Sequence, residues 1–454
     1  MKQKLTVKDY VYVASMLFGL FFGAGNLIFP VRMGQMAGAN VLPALLGFLI
    51  TGVGLPLLGV AALGMSRSDG LYALSGKVDR RYGLFFTCLL YLTIGPFFAI
   101  PRCATTSFTV GIESMLPDGA NLRLGLLLFS ALFFGATLMF SLFPGEILTW
   151  VGKILNPLFL VFLGVLVIAA LTSPSAGIAA VVPEGDYASH PFPTGFLEGY
   201  NTMDALAGLA FGIVVVRAIR DLGVTDAGAV AASTVRAGVF SCLFMALIYV
   251  AITLAGTLSR TVFPTAENGG IALAQLAEYH LGRAGLVILA ATVTLACLKT
   301  AVGLITGCAE TFAGLFPRGP KYRVWAVIFC LASFLFANLG LDRIISYSVP
   351  MLMFLYPLAI TLIVLALFGR LFDDDREVYL WVTGLTLIGA LYDLLCALPQ
   401  NARSFLHLDG FLGAVTDVVP LASLGLAWLC PALLGLAIGI CRHLIKKRAG
   451  RATL

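Results

Sequence analysis

Twelve apolar stretches follow one another along this chain, each about the length of one bilayer crossing, and nothing else in the sequence narrows its fold so far. They run roughly at 10–37, 41–65, 83–111, 124–142, 147–171, 195–216, 230–256, 284–313, 323–340, 344–369, 378–397 and 419–442. In hydrocarbon every backbone N–H and C=O must be satisfied within its own segment, so each stretch predicts a membrane-crossing α-helix. Of 454 residues 59% are hydrophobic and 11% charged, too little polar surface for a water-soluble globule. The expected fold class is therefore all-α integral membrane, with twelve transmembrane helices in a single domain over 1–454. The longest connections, near 172–194 and 258–282, carry turn residues and add no further domain. The first stretch lacks a processing site and outruns a signal peptide, so it is expected to stay as a helix.

Basic residues set the orientation. With the N-terminus in the cytoplasm, only Arg123, Arg260, Arg283, Arg343 and Arg403 fall in loops on the far side, while Lys77, Arg80, Arg81, Lys446, Lys447 and Arg448 are among the many on the near side. This positive-inside asymmetry predicts an even number of crossings, both termini cytoplasmic, in a plasma (bacterial inner) membrane. The nine cysteines lie in or beside apolar stretches without metal-type spacing and read as small packing residues. The four histidines (190, 280, 407 and 443) sit in loops or at a span end, so no nucleophile–base pair or metal constellation assembles. The chain is expected not to be an enzyme and to have no catalytic residues, no cofactor, no nucleic-acid partner and no obligatory protein partner beyond membrane lipid. A channel would call for a charged ring or a carbonyl filter, which the sequence does not display.

Two of the stretches are interrupted. The first is broken at Gly23-Ala24-Gly25-Asn26, with Pro30 a turn later; the sixth opens with Phe196-Leu197-Glu198-Gly199-Tyr200-Asn201-Thr202-Met203-Asp204, too polar for lipid. Unwound backbone at bilayer depth is tolerated only where protein or a water-filled cavity surrounds it. Taken singly, the first break also reads as a Gly-rich packing face kinked by proline. Paired breaks at corresponding positions of two halves point instead to a transporter of inverted repeats with its binding site at their junction. Five spans per repeat give repeat one at about 10–171 and repeat two at about 195–369, with additional peripheral helices at about 378–397 and 419–442. Asn156-Pro157 in span five and Tyr356-Pro357 in span ten correspond, although Pro350 has no counterpart.

Gly23-Ala24-Gly25-Asn26-Leu27-Ile28-Phe29-Pro30, Gly95-Pro96 with Pro101-Arg102, Gly199-Tyr200-Asn201-Thr202-Met203-Asp204 and Thr300-Ala301-Val302-Gly303-Leu304, in this order and spacing, resemble the BrnQ-type branched-chain amino acid:cation symporters. The likeness runs essentially from Met1 through span twelve. That family is similar to the LeuT-type carriers, which implies a LeuT-like five-plus-five inverted repeat, with leucine, isoleucine and valine as substrates and sodium as the usual coupling ion. The half-helix that starts after the first break presents unpaired N–H groups and a positive dipole end, so a substrate carboxylate is expected on Ala24, Gly25 and Asn26. Carbonyls freed at Gly19, Phe21 and Phe22 suit a sodium ion, the only metal expected. Similarity further implies that Asn26 and Thr202 share an ion site beside the carboxylate, and the second break offers Asn201, Thr202, Met203 and Asp204 as candidates to line the substrate site. Asp204 holds the substrate ammonium or a cation, or else caps the helix that starts at Ala205. Glu198 is the second carboxylate, nearer the outer mouth. Phe21, Phe97, Met203 and Phe211 are candidate pocket walls, each equally explained by helix packing. One methylene discriminates by only about 1–3 kcal/mol, so selectivity among the three amino acids should be loose.

Lys299 in mid-span eight departs from the pattern, because LeuT-type carriers place hydroxyls at that height and the matching pair here is Lys299-Thr300. A charged lysine is costly there. Its ammonium replaces the sodium on the carbonyls of Gly19 and Phe22, coupling transport to protons and leaving Thr300 little to coordinate, or it pairs with Asp204 or Glu310. Sodium-driven and proton-driven (or sodium-independent) transport therefore both stay open. Arg102 either gates by pairing with a carboxylate or, the preferred reading, marks a half-helix end near the interface. Arg32 is a candidate outer gate with an acidic partner from an external loop.

Overall fold

The computed structural model describes residues 5–66, 68, 70–117, 119–143, 156–171 and 177–452, and among these it contains no strand. Arg67, Lys153 and the expected opening of span five at 147–155 lie outside the described residues. The main helices, in chain order, are α1 (Val7–Phe21), α2 (Ala24–Ala37), α3 (Val41–Leu49), α4 (Leu55–Met65), α5 (Leu71–Ser75), α6 (Arg80–Leu92), α7 (Ala99–Thr106), α8 (Leu122–Ser141), α9 (Asn156–Leu171) and α10 (Asp186–Ser189). They continue as α11 (Pro191–Glu198), α12 (Asp204–Asp221), α13 (Ala227–Ser259), α14 (Gly269–Leu315), α15 (Tyr322–Ala337), α16 (Leu341–Phe368), α17 (Arg376–Ala397), α18 (Gln400–Phe405), α19 (Asp409–Val418) and α20 (Leu429–Ala452).

Eight helical stretches among the described residues are long and apolar enough to cross a bilayer unaided. One of the eight, Ala24–Met65, joins the α2 half of the broken first span to the second; the expected spans outside the eight are the broken sixth, α11–α12, the fifth, of which Asn156–Leu171 is described, and the shorter α15. Long continuous runs hide sharp bends. Ala24–Met65 turns at Gly38 (φ 49°), which lies against the backbone of Val181 and Val182, and α14 turns at Gly282 (φ 57°, ψ −147°). Both positions need the left-handed region, where a side chain is strained.

The broken first helix is the centre of the bundle. Its α2 half packs so closely on α13 that the space of a side chain at Gly34 is filled by Thr253, and that at Gly256 by Val31. Small residues allow this approach where helices in lipid must rely on van der Waals packing. Thr257 Oγ1 adds a hydrogen bond to the Gly34 carbonyl at 2.9 Å. Ion pairs tie the two ends of the bundle: Lys77–Asp374 (2.9 Å), Arg376–Asp79 and Lys447–Asp373 (2.7 Å) at one, Arg260–Glu184 at the other. Helix α17 packs on α16, and α20 packs on α17 away from the centre.

Candidate functional site

Both interruptions are real breaks in the backbone. Helix α1 ends at Phe22 (φ −76°, ψ 95°), Gly23 is extended, and α2 starts at Ala24. The Gly23 N–H donates to Asn26 Oδ1 at 2.8 Å, so the amide side chain holds the new helix start in place. A Cβ on Gly23 would come 2.9 Å from Thr300 Oγ1, which leaves glycine as the residue that fits. In the second break α11 passes through a 3-10 turn, Gly199–Thr202, to Met203 in the left-handed region (φ 62°, ψ 12°), and α12 begins at Asp204. A non-glycine residue held there stores backbone strain of roughly 1–3 kcal/mol, a cost that clusters at functional positions.

One polar network joins the two breaks. Asn26 Nδ2 donates to Asp204 Oδ2 at 2.6 Å and also to the Tyr249 hydroxyl; that hydroxyl donates to the same Asp204 oxygen at 2.7 Å. All three residues are buried. Asp204 is thus no helix cap: Met203 occupies the cap position, and the carboxylate spends its bonds on neighbouring helices. Tyr249, on α13, was not among the expected site residues. Its signal was a tyrosine in mid-span, since a hydroxyl surrounded by hydrocarbon needs a partner.

The network borders a narrow cavity walled by Leu20, Phe21, Ile94, Met203, Phe211 and Leu304, with Ala24, Gly25, Asn26, Thr202 and Asp204 along its polar side. Phe97 is not part of it: the ring turns outward, partly exposed, and packs 5.1 Å from Phe336. Asn201 also lies elsewhere by its side chain. With Glu198, which accepts from Asn201 Nδ2 at 3.5 Å, it lines a wider cavity shared with Asp186, His190 and Gly425. The Asn201 carbonyl nonetheless faces Gly25. Thr202 Oγ1 donates to the Gly199 carbonyl at 2.9 Å and so braces the turn itself.

Below the first break, Thr300 Oγ1 lies 3.4 Å from the Gly19 carbonyl and 3.2 Å from that of Phe22. Three neutral hard oxygens converge, a donor set that suits an alkali cation. The expectation that Lys299 would take these carbonyls and idle Thr300 is corrected here, because the threonine is the residue that reaches them. Lys299, fully buried, turns its Nζ over the rings of Phe159 (3.6 Å) and Phe18 (5.4 Å). Neither carboxylate considered as its partner fills that role: Asp204 is held by Asn26 and Tyr249, and Glu310 pairs with Arg217. A helix exposes consecutive residues about 100° apart, so neighbours in sequence face different surroundings.

Two arginine expectations also change. Arg102, placed near an interface by the sequence, is only 3% exposed and lines the cavity from α7. Arg32 donates to the backbone carbonyl of Ala266 and forms no salt bridge among the described residues, Glu198 being an acidic group near enough to feel its charge.

A family profile described as "Branched-chain amino acid transport protein" matches residues 6–446. The chain belongs to that family. It is 52% identical over 448 residues to the branched-chain amino acid permease BrnQ of Lactobacillus delbrueckii subsp. lactis, covering 99% of this chain and 100% of the relative. It is 42% identical over 440 residues to the permease BraB of Bacillus subtilis, covering 97% and 96%. As a member of the branched-chain amino acid transport family the chain is a multi-pass membrane transport protein and not an enzyme. Among solved structures it is similar to Mhp1, a nucleobase-cation-symport-1 family transporter, in a closed conformation (TM-score 0.57, 16% identity, 95% of this chain and 91% of that one) and in the inward-facing conformation (0.58, 16%, 96% and 91%). At that identity the likeness concerns the fold, which is LeuT-like.

Proposed function

We propose that this protein imports leucine, isoleucine and valine across the bacterial inner membrane by cation-coupled alternating access. Twelve crossings, both termini cytoplasmic, and two inverted five-span repeats at about 10–171 and 195–369 complete that reading. The observation that carries it is the Asn26–Asp204–Tyr249 network, which joins both helix breaks at one apolar cavity. The substrate carboxylate binds at the start of α2, where first-turn N–H groups have no partner in their own helix. The ammonium binds Asp204, the carboxylate on the polar side of the cavity. The aliphatic side chain fills the space between Phe21, Ile94, Phe211 and Leu304. The coupling sodium is held by Gly19, Phe22 and Thr300, where it bridges α1 to α14. Glu198 and Asn201 line the approach from outside.

The test is leucine uptake into proteoliposomes under separately imposed sodium and proton gradients. Uptake that concentrates leucine with sodium alone fits the reading; no accumulation of any branched-chain amino acid under either gradient overturns it. Proton coupling is the second reading, favoured by a fully buried Lys299 one residue from Thr300. It predicts accumulation under a proton gradient without sodium and its loss in Lys299→Thr.

A further inference from the structure

The guanidinium of Arg102 is the least satisfied polar group near the cavity. Its Nε and Nη1 are buried and have no hydrogen-bond partner among the described residues, although an arginine can give five N–H bonds. The group lies over the Phe29 ring, with Cζ 5.2 Å from the ring centroid. That packing sends Nη2 toward Gly25, so close that a Cβ there would lie 2.9 Å from it. Gly25 is the second residue of α2, in the turn whose N–H groups lack partners within the helix. Asp204 lines the same cavity, and its charge reaches the guanidinium, but among the described residues the two form no salt bridge. A buried cation with unmet donors, a helix start aimed at the same point and a side-chain-free position between them together describe a receptor for an anion with two oxygens.

Taking the cavity as an amino acid site, as proposed above, we infer that Arg102 receives the carboxylate of the bound amino acid, clamping it against Gly25 at the start of α2. The site then reads both charges of the zwitterion with side chains, Arg102 at the carboxylate and Asp204 at the ammonium. Binding supplies acceptors for the unmet guanidinium donors, so a compound that keeps the side chain and ammonium but lacks the carboxylate gains little. Leucinamide is such a compound.

The test uses the full-length protein, purified in detergent, with radiolabelled leucine binding and displacement by unlabelled leucine or leucinamide. The wild type is expected to prefer leucine by about 100-fold, in line with a charge-assisted, two-point contact. In Arg102→Gln leucine affinity should fall by about 100-fold while leucinamide changes little, so the preference collapses. Arg102→Lys, which keeps the charge but not the fork, should lose about tenfold for leucine alone. If the glutamine variant is not monodisperse, the lysine variant decides on the same ratio. Unchanged leucine affinity, or equal loss for both compounds, overturns the role of Arg102. A wild type that binds neither compound overturns the amino acid reading itself, a result distinct from the first two.

Discussion

Gly25→Ala tests the carboxylate position with the smallest available change. The added methyl would sit 2.9 Å from Arg102 Nη2, 3.2 Å from Phe29 Cε2 and 3.3 Å from the Asn201 carbonyl oxygen. All three are at or inside the closest ordinary contact, and two are the far ends of side chains that can yield by a few tenths of an ångström. The helix should therefore survive, and alanine is the better helix former. The methyl would press the guanidinium away from the backbone edge against which the carboxylate is proposed to be held. Overpacking of this kind costs about 1–3 kcal/mol, and if it is met only with ligand bound, leucine affinity falls by about 5- to 150-fold. Equilibrium leucine binding measures the loss, while thermal unfolding followed by size-exclusion chromatography reports the fold. Gly135→Ala on α8, where a Cβ meets nothing within 4 Å, is the control and should bind as wild type. Gly25→Leu should abolish binding. Leucine affinity in Gly25→Ala within about twofold of wild type would refute the placement.

Tyr249→Phe should weaken leucine binding about tenfold or more, because the Asp204 carboxylate loses a bond worth about 1.5–3 kcal/mol that orients it; the ring keeps its contacts with Phe48 (5.1 Å) and Phe22 (5.9 Å), so the variant should fold, with a lowered unfolding temperature. Wild-type affinity in that variant would separate Tyr249 from the site. Thr300→Ala should raise the sodium concentration for half-maximal uptake about five- to tenfold, with Thr300→Ser restoring it; a sodium dependence that does not move would remove the Gly19–Phe22–Thr300 cluster from coupling. At the end of the bundle, hydrogen bonds from Lys447 to Asp373 and from His443 to Asp375 hold both carboxyls below their ordinary range. A depressed pKa in the folded state adds stability that is present above the unfolded value of about 3.9 and lost as pH falls through the depressed value. Hydrogen exchange over 443–447, corrected for intrinsic rate, should stay constant from neutrality to about pH 5 and quicken only below about pH 4; release at neutral pH would contradict the pairing.

What the sequence determined by itself was everything that hydrocarbon enforces locally. A lipid-crossing segment has no water to satisfy stray backbone groups, so a helical, membrane-embedded chain could be read from apolar length. The breaks at Gly23–Asn26 and Tyr200–Asp204 stood out for the same reason, and the motifs around them pointed to the family. What only the tertiary structure decided was direction. Central helices of a bundle are apolar on every face, so periodicity does not say which face a residue presents. That is why Tyr249 was overlooked, why Phe97 proved to face outward, and why Asn201 and Asp204, three residues apart, line different cavities. It is also why Thr300 reaches the carbonyls of α1 while Lys299 lies against Phe159, and why Arg102, legible as an interfacial arginine, turned out to be buried beside Gly25. A charge in a membrane span announces its cost in the sequence, but the group that offsets it comes from another helix, and only packing brings the two together.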